Sequence, residues 1–204
     1  MRARAEPRPL RGFEKIHGFW DEGLGSWVKQ ILPGDCYVSK DDEIIATVLG
    51  SCISACIRDP LAKVGGMNHF MLPYGPRGDR EGTSARYGCF ALEQLLNALY
   101  EHGARRERLE VKVFGGGRVI PGLSDVGEGN IAFVRHFLSV ERLPLLAEDV
   151  GDTCARRLRY YPRTGRASVQ HLPMSDNARI ASAENAHRQE VVRRAEGPSD
   201  VELF

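Results

Sequence analysis

Ile44-Ile45-Ala46-Thr47-Val48-Leu49 is an unbroken apolar, β-branched run that halts at Gly50-Ser51, the pattern of a buried strand ending in a tight turn. Directly beyond it Ile53, Ala55 and Ile57 alternate with Ser54, Cys56 and Arg58. Asp59-Pro60-Leu61-Ala62 then offers Asp at the first turn position and Pro at the second, so the chain has to double back. The return strand reads from Val64 to Leu72 and closes at Pro73, with a polar loop from Tyr74 to Thr83.

A hairpin with an even loop fixes which residues meet. With Asp59–Ala62 as the turn, Asp59 faces Ala62, Arg58 faces Lys63 and, in the same register, Cys52 faces His69. Directly opposed residues share a face with Cβ atoms roughly 4.5–5.5 Å apart, close enough for an imidazole to take a proton from a thiol. Cys52 also follows the Gly50-Ser51 turn, where backbone N–H groups are free to point at a developing oxyanion. A free thiol with a pKa of about 8.5 needs an imidazolium or aligned backbone dipoles beside it to ionise at neutral pH, and His69 is placed to supply the first. Taken singly, each residue reads equally as a buried structural side chain, since free cysteines are among the most buried of all. Cys52, Cys56 and His69 on one face would also make three zinc ligands, although no C-x₂-C or H-x₃-H spacing occurs. Cys36, Cys89 and Cys154 show no partner pattern and read as structural.

Further along, Leu92, Leu95, Leu96 and Leu99 recur on one helical face, Thr83 or Ser84 can cap the start, and Gly103 ends the helix. Leu109 to Phe114 alternates as a strand that Gly115-Gly116-Gly117 breaks. These glycines match neither G-x-G-x-x-G nor the P-loop, so they read as a tight strand exit or as the place where a ligand's backbone approaches closely. Ile131, Val134 and Leu138 mark a second helix, and Leu145–Val150, Arg157–Tyr161 and Ala167–Leu172 read as strands, the last two joined by Pro162-Arg163-Thr164-Gly165. The sum is one mixed α/β domain over residues 36–174.

Residues 1–35 carry Arg2, Arg4, Arg8 and Arg11 among prolines and show no sustained period, so they read as an N-terminal arm. Phe13, Phe19, Trp20 and Trp27 are too many aromatics for a solvated tail and imply that part of the arm packs on the domain or on a partner. Residues 175–204, rich in Ala, Glu and Arg, read as a charged C-terminal tail, either a frayed helix or disordered. The 204 residues balance 28 Lys+Arg against 27 Asp+Glu, so no overall field marks a binder of nucleic acid or of a membrane surface. No apolar run reaches the roughly 18 residues of a membrane span, which excludes membrane insertion at the level of sequence. Five cysteines, an odd number, and a first segment from Met1 to Trp20 without an apolar secretory core point to the reducing cytoplasm.

Several segments in order resemble one family. Thr47-Val48-Leu49-Gly50-Ser51-Cys52, Cys56-Ile57-Arg58-Asp59-Pro60 and Gly65-Gly66-Met67-Asn68-His69-Phe70-Met71-Leu72-Pro73 closely resemble CheD, the chemoreceptor glutamine deamidases of bacterial chemotaxis. Ala85-Arg86-Tyr87-Gly88, Lys112-Val113-Phe114-Gly115-Gly116, Val126-Gly127-Glu128-Gly129-Asn130, Ala147-Glu148-Asp149-Val150-Gly151 and Thr164-Gly165-Arg166 continue the likeness, which spans about residues 36–172. The resemblance implies an α/β/α layered domain, similar to bacterial toxins that deamidate glutamine, working without metal or cofactor. It implies methyl-accepting chemotaxis receptors as protein substrate and the phosphatase CheC as a partner. Cys52 and His69 match the family's nucleophile and base. The family's supporting threonine, six residues before the nucleophile, falls here on Ala46, so its neighbour Thr47 is taken for that role, which requires a bulge or a shifted alignment. The loop Gly151–Arg156 departs from the family by carrying less glycine.

On this reading Cys52 attacks a glutamine carboxamide, N–H groups around Gly50 and Ser51 hold the oxyanion, and His69 passes the proton to ammonia. Asn68, Met71, Arg86 and Tyr87 are the expected wall of the substrate cleft. A CheD-like adaptor that binds receptor or CheC with little catalysis, and a thiol protease or transglutaminase using the same first half-reaction, are the competing classes.

Overall fold

The computed structural model describes residues 5–72, 83–119 and 124–196, and its strands form two mixed five-stranded sheets. The first sheet runs β1 (Gly18–Asp21), β2 (Ser26–Gln30), β4 (Ile44–Leu49), β9 (Arg156–Tyr161), β10 (Arg166–His171). The second runs β3 (Cys36–Ser39), β6 (Val64–Asn68), β5 (Ile53–Asp59), β7 (Glu110–Gly115), β8 (Leu145–Val150). The leucine-striped helix α1 (Thr83–Glu101) packs on β3, β5 and β6, and α2 (Ser124–Val140) packs on β5. Ile45, Leu49, Leu158 and Tyr160 of the first sheet share one buried cluster with Cys56 and Met67 of the second.

The mixed α/β class stands, with the strands divided between two sheets where a single one is expected. Two strands of the first sheet come from the residues expected to form an arm. Over Gly18–Gln30 the chain is a hairpin in which Trp20 pairs with Trp27, their rings edge-on at 6.0 Å, and β2 then runs parallel to β4 with Val28 beside Ile44. Strands of four and five residues split by Gly23 and Gly25 are too short to show a period, which hid them in the sequence. Of the two readings of the tail the helix stands: α3 (Asn177–Glu196) has Ile180 and Ala181 packed against Val119, Ala155 and Leu172.

The central hairpin corrects the expected register. Asp59 pairs with Val64 and Cys56 with Met67, so the loop is Pro60 to Lys63 and Cys52 does not lie opposite His69. The Asp59 carboxylate accepts from the N–H groups of Leu61 and Ala62, and Lys63 takes the left-handed conformation at φ 53°. A four-residue loop built on the Asp side chain thus replaces the tight turn. The slip is two residues, so it preserves the side-chain alternation, and Cys52 and His69 stay on one face as diagonal neighbours.

Between the sheets Arg156 is completely buried and its guanidinium donates to the carbonyls of Gly115, Asp149 and Gly151. Arg156→Met removes a charge that three carbonyls depend on. It is expected to lower unfolding free energy by about 3 kcal/mol, read as a fall in the urea midpoint at unchanged m-value.

Candidate active site

His69 leaves the end of β6 and is clamped by backbone bonds on both sides of its peptide: its N–H donates to Asp35 O at 2.9 Å and its O accepts from Gly34 N at 2.7 Å. Its ring points away from the helices toward the first sheet, where Thr47 of β4 meets it with Oγ1 at 2.8 Å from Nδ1. The same hydroxyl donates its single proton to Ile31 O at 2.9 Å. It must therefore accept from Nδ1–H, which fixes the tautomer and leaves Nε2 with a bare lone pair. That Nε2 is buried and makes no hydrogen bond. Thr47, not Ala46, reaches the imidazole because β4 turns its odd-numbered side chains inward. Ala46 lies on the opposite side, lining a shallow cleft with Phe19, Gln30 and Arg159.

The turn carrying Cys52 is held rigid through three successive carbonyls. Gly50 O accepts from Gly117 N at 2.7 Å and Cys52 O from Gly116 N at 2.8 Å. Ser51 O accepts from Asn130 Nδ2 at 2.8 Å, while Asn130 Oδ1 accepts from Leu72 N at 2.9 Å. In a trans peptide C=O and N–H point opposite ways, so fixing these carbonyls aims the Ser51 and Cys52 N–H groups in the other direction. The glycine run is needed for this approach: a Cβ at Gly115, where φ is 115°, would stand 2.1 Å from Cys52 O. The backbone that comes close to these glycines is the protein's own nucleophile turn and not that of a ligand.

The aimed N–H groups converge on Glu184 of α3. Its Oε1 accepts from Gly50 N at 2.8 Å and Cys52 N at 3.2 Å, and its Oε2 from Ser51 N at 2.8 Å and Ser51 Oγ at 2.7 Å. Cys52 Sγ, a ring nitrogen of His69 and a carboxylate oxygen of Glu184 lie within 4.8 Å of one another. Cys56, expected to join a zinc set with Cys52 and His69, is absent from this group. Glu184 stands in its place, with both oxygens committed to protein donors.

Burial, reinforced by the Glu184 charge, pushes the Cys52 thiol well above its usual range, and burial lowers His69 to about 4. The resting pair is therefore a neutral thiol beside a neutral imidazole. Because the unfolded imidazole titrates near 6.5, the unfolded chain binds the extra proton between the two values. The stability gained by keeping His69 neutral is complete above about pH 6.5 and is lost as the pH falls toward 4. Urea midpoints followed from pH 7.5 to 4.5 are expected to fall more steeply for the wild type than for His69→Ala.

Of the expected wall residues, Asn68 is taken up in structure: Oδ1 accepts from Ala55 N at 2.9 Å and Nδ2 donates to Ala91 O at 3.1 Å. It interrupts the β5–β6 ladder and ties it to α1 instead of facing a substrate. Met71 is buried with its sulfur 3.7 Å from Ser51 Oγ, at the nucleophile turn. Tyr87 of α1 lies near the Gly34 loop and His187, its hydroxyl 3.9 Å from where a Gly34 Cβ would stand. The Arg86 side chain lies outside the described residues, as do Pro73, the Tyr74 loop and the caps offered by Thr83 and Ser84. Sequence reasoning missed Asn130 and Glu184. Asn130 sits in a segment already matched to the family, whereas Glu184 has no signal within a charged Ala-rich tract.

A family model described as CheD chemotactic sensory transduction matches residues 71–171, starting just past His69. A Saccharophagus degradans protein named probable chemoreceptor glutamine deamidase CheD is 40% identical over 99% of this chain and 95% of its own length. Proteins of the same name from Janthinobacterium sp. and Hydrogenovibrio crunogenus are 47% and 45% identical, covering 91% and 90% of this chain and 93% and 97% of theirs. The span shared with the first relative takes in nearly the whole chain, and with it the turn, the imidazole and α3.

Proposed function

Because this chain belongs to the CheD family, we propose that it is a cysteine-dependent protein-glutamine deamidase acting on methyl-accepting chemotaxis receptors. The observation that carries the mechanism is the set of bonds that leaves His69 Nε2 a proton acceptor, with a ring nitrogen of the same imidazole and the carboxylate held by the turn's N–H groups both within 4.8 Å of the Cys52 sulfur. Nε2 takes the thiol proton as Sγ bonds to the carboxamide carbon, and the Gly50 and Cys52 N–H pair holds the oxyanion. The imidazolium returns the proton to the amine as the C–N bond breaks and ammonia leaves. Water, deprotonated by the same nitrogen, then cleaves the thioester to give glutamate and the free thiol.

Gln-to-Glu conversion adds one negative charge to the receptor and leaves a carboxylate available for methylation. The reading places the protein in the cytoplasm, which suits its five free cysteines, and no described helix is long and apolar enough to cross a membrane. CheC, implied by the resemblance, is the partner to test by co-purification. The deciding experiment is incubation of a receptor cytoplasmic fragment with the enzyme. A mass gain of about one dalton at particular glutamines supports deamidation; peptide cleavage or crosslinking assigns another thiol chemistry.

Thr47→Val keeps the side-chain shape but removes the acceptor on Nδ1. It is expected to lower kcat about 10- to 100-fold at little change in KM, because it frees the tautomer and not the substrate contacts.

A further inference from the structure

Cys52 has 0% of its surface exposed, and the N–H groups that would hold an oxyanion already carry a carboxylate. The second feature traces to one element, the helix α3, whose Glu184 also lies within 4.8 Å of the Cys52 sulfur. We propose that α3 is an intramolecular occupant of the substrate site, with Glu184 standing where the glutamate product stands, so that a helix bearing a target glutamine must displace it. This rests on the deamidase reading and adds how the substrate is presented and what holds the resting enzyme closed.

The chemistry of the occupant supports the assignment. Glutamate is what deamidation makes, and the four hydrogen bonds from the turn to Glu184 all treat its oxygens as acceptors, as a carboxylate requires. Oε1 lies at the Gly50 and Cys52 N–H pair, the place of the substrate carbonyl oxygen. Oε2 accepts from both the backbone N–H and the hydroxyl of Ser51; the hydroxyl can rotate to accept from an NH₂ but the N–H cannot, so this place suits the carboxylate product better than the amide substrate. The carboxyl group lies close over the turn, since a Cβ at Gly50 would come within 2.8 Å of Oε2 and 3.1 Å of Cδ.

The helix is fastened on both sides of Glu184, with His187 lying against Gly34 just beyond it. At its start α3 is tied by Asn177, which accepts from Ala155 N at 3.2 Å and donates to Thr153 O at 2.8 Å. Beyond that point, among the described residues, its buried apolar side chains are Ile180 and Ala181, one helical turn before Glu184. The same spacing defines the competitor: a helical glutamine with a small residue three positions before it, so that the backbone comes close enough for the amide to enter. Displacement also removes the Glu184 charge, which adds to burial in raising the Cys52 thiol.

Full-length variants test this with readouts that separate it from the deamidase reading. In E184A, and in I180D where the N–H nest is untouched, iodoacetamide is expected to label Cys52 at least about tenfold faster than in the wild type, resolved from the other cysteines by peptide mass. In E184Q, isosteric with the wild type, the introduced carboxamide plus water is expected to become the wild-type carboxylate plus ammonia. The gain of about one dalton should be first order, independent of protein concentration, and absent from E184Q/C52A. Equal labelling rates and a persistent carboxamide in E184Q, in protein whose wild type modifies receptor glutamines, overturn the proposal and leave the deamidase reading intact. Faster labelling with no deamidation of either the E184Q side chain or receptor overturns the deamidase reading, and the product-mimic assignment with it.

Discussion

Cys52→Ala is expected to reduce ammonia release from receptor fragments by about 10³-fold or more while the protein remains folded. The sulfur is the atom to which the acyl group is transferred, and nothing else in the described site can replace it: the group within 4.8 Å of it consists of an imidazole and a carboxylate bound to backbone donors. Folding is spared because the resting thiol is neutral, so its removal leaves no charge unpaired, and the void is that of one sulfur atom, costing about 1 kcal/mol. Circular dichroism and a urea midpoint close to wild type, alongside lost turnover, are the expected pair of results. Full turnover in this variant would transfer the chemistry away from the turn altogether.

His69→Ala is expected to lower kcat by about 10²- to 10⁴-fold, the usual worth of a positioned acid–base group. One further readout distinguishes a base from a structural support. Once α3 is released by E184A, Cys52 alkylation at neutral pH should be slower when His69 is also replaced, because the thiol loses its proton acceptor. Stability below pH 6.5 should improve relative to wild type, because the buried neutral imidazole is the group that acid protonates on unfolding. A purely structural His69 would leave the alkylation rate where it was.

The elements that the sequence announced are those whose residues repeat over six or more positions. The run Ile44–Leu49, the alternation from Ile53, the leucine stripe of α1 and the Pro162–Gly165 turn all appear as read. β1, β2 and β3 were invisible because four or five residues broken by glycines carry too little pattern to separate strand from loop. The hairpin register was off by two because the loop length depends on an Asp59 side chain that caps its own turn. The shared face of Cys52 and His69 survived that error, since strand side chains alternate with a period of two and an even slip restores the same side.

Local sequence therefore determined the strands, the nucleophile turn and the residue types able to carry the chemistry, because these follow from patterns within a few positions of the chain. The packing of one sheet on the other decided which threonine orients His69: Thr47 and His69 lie on strands that never pair, and their bond exists only across the sandwich. Docking of α3 likewise decided that Glu184 fills the N–H nest, a contact between residues more than 130 positions apart. Contacts of that range depend on three-dimensional closure, and no periodicity along the chain encodes them.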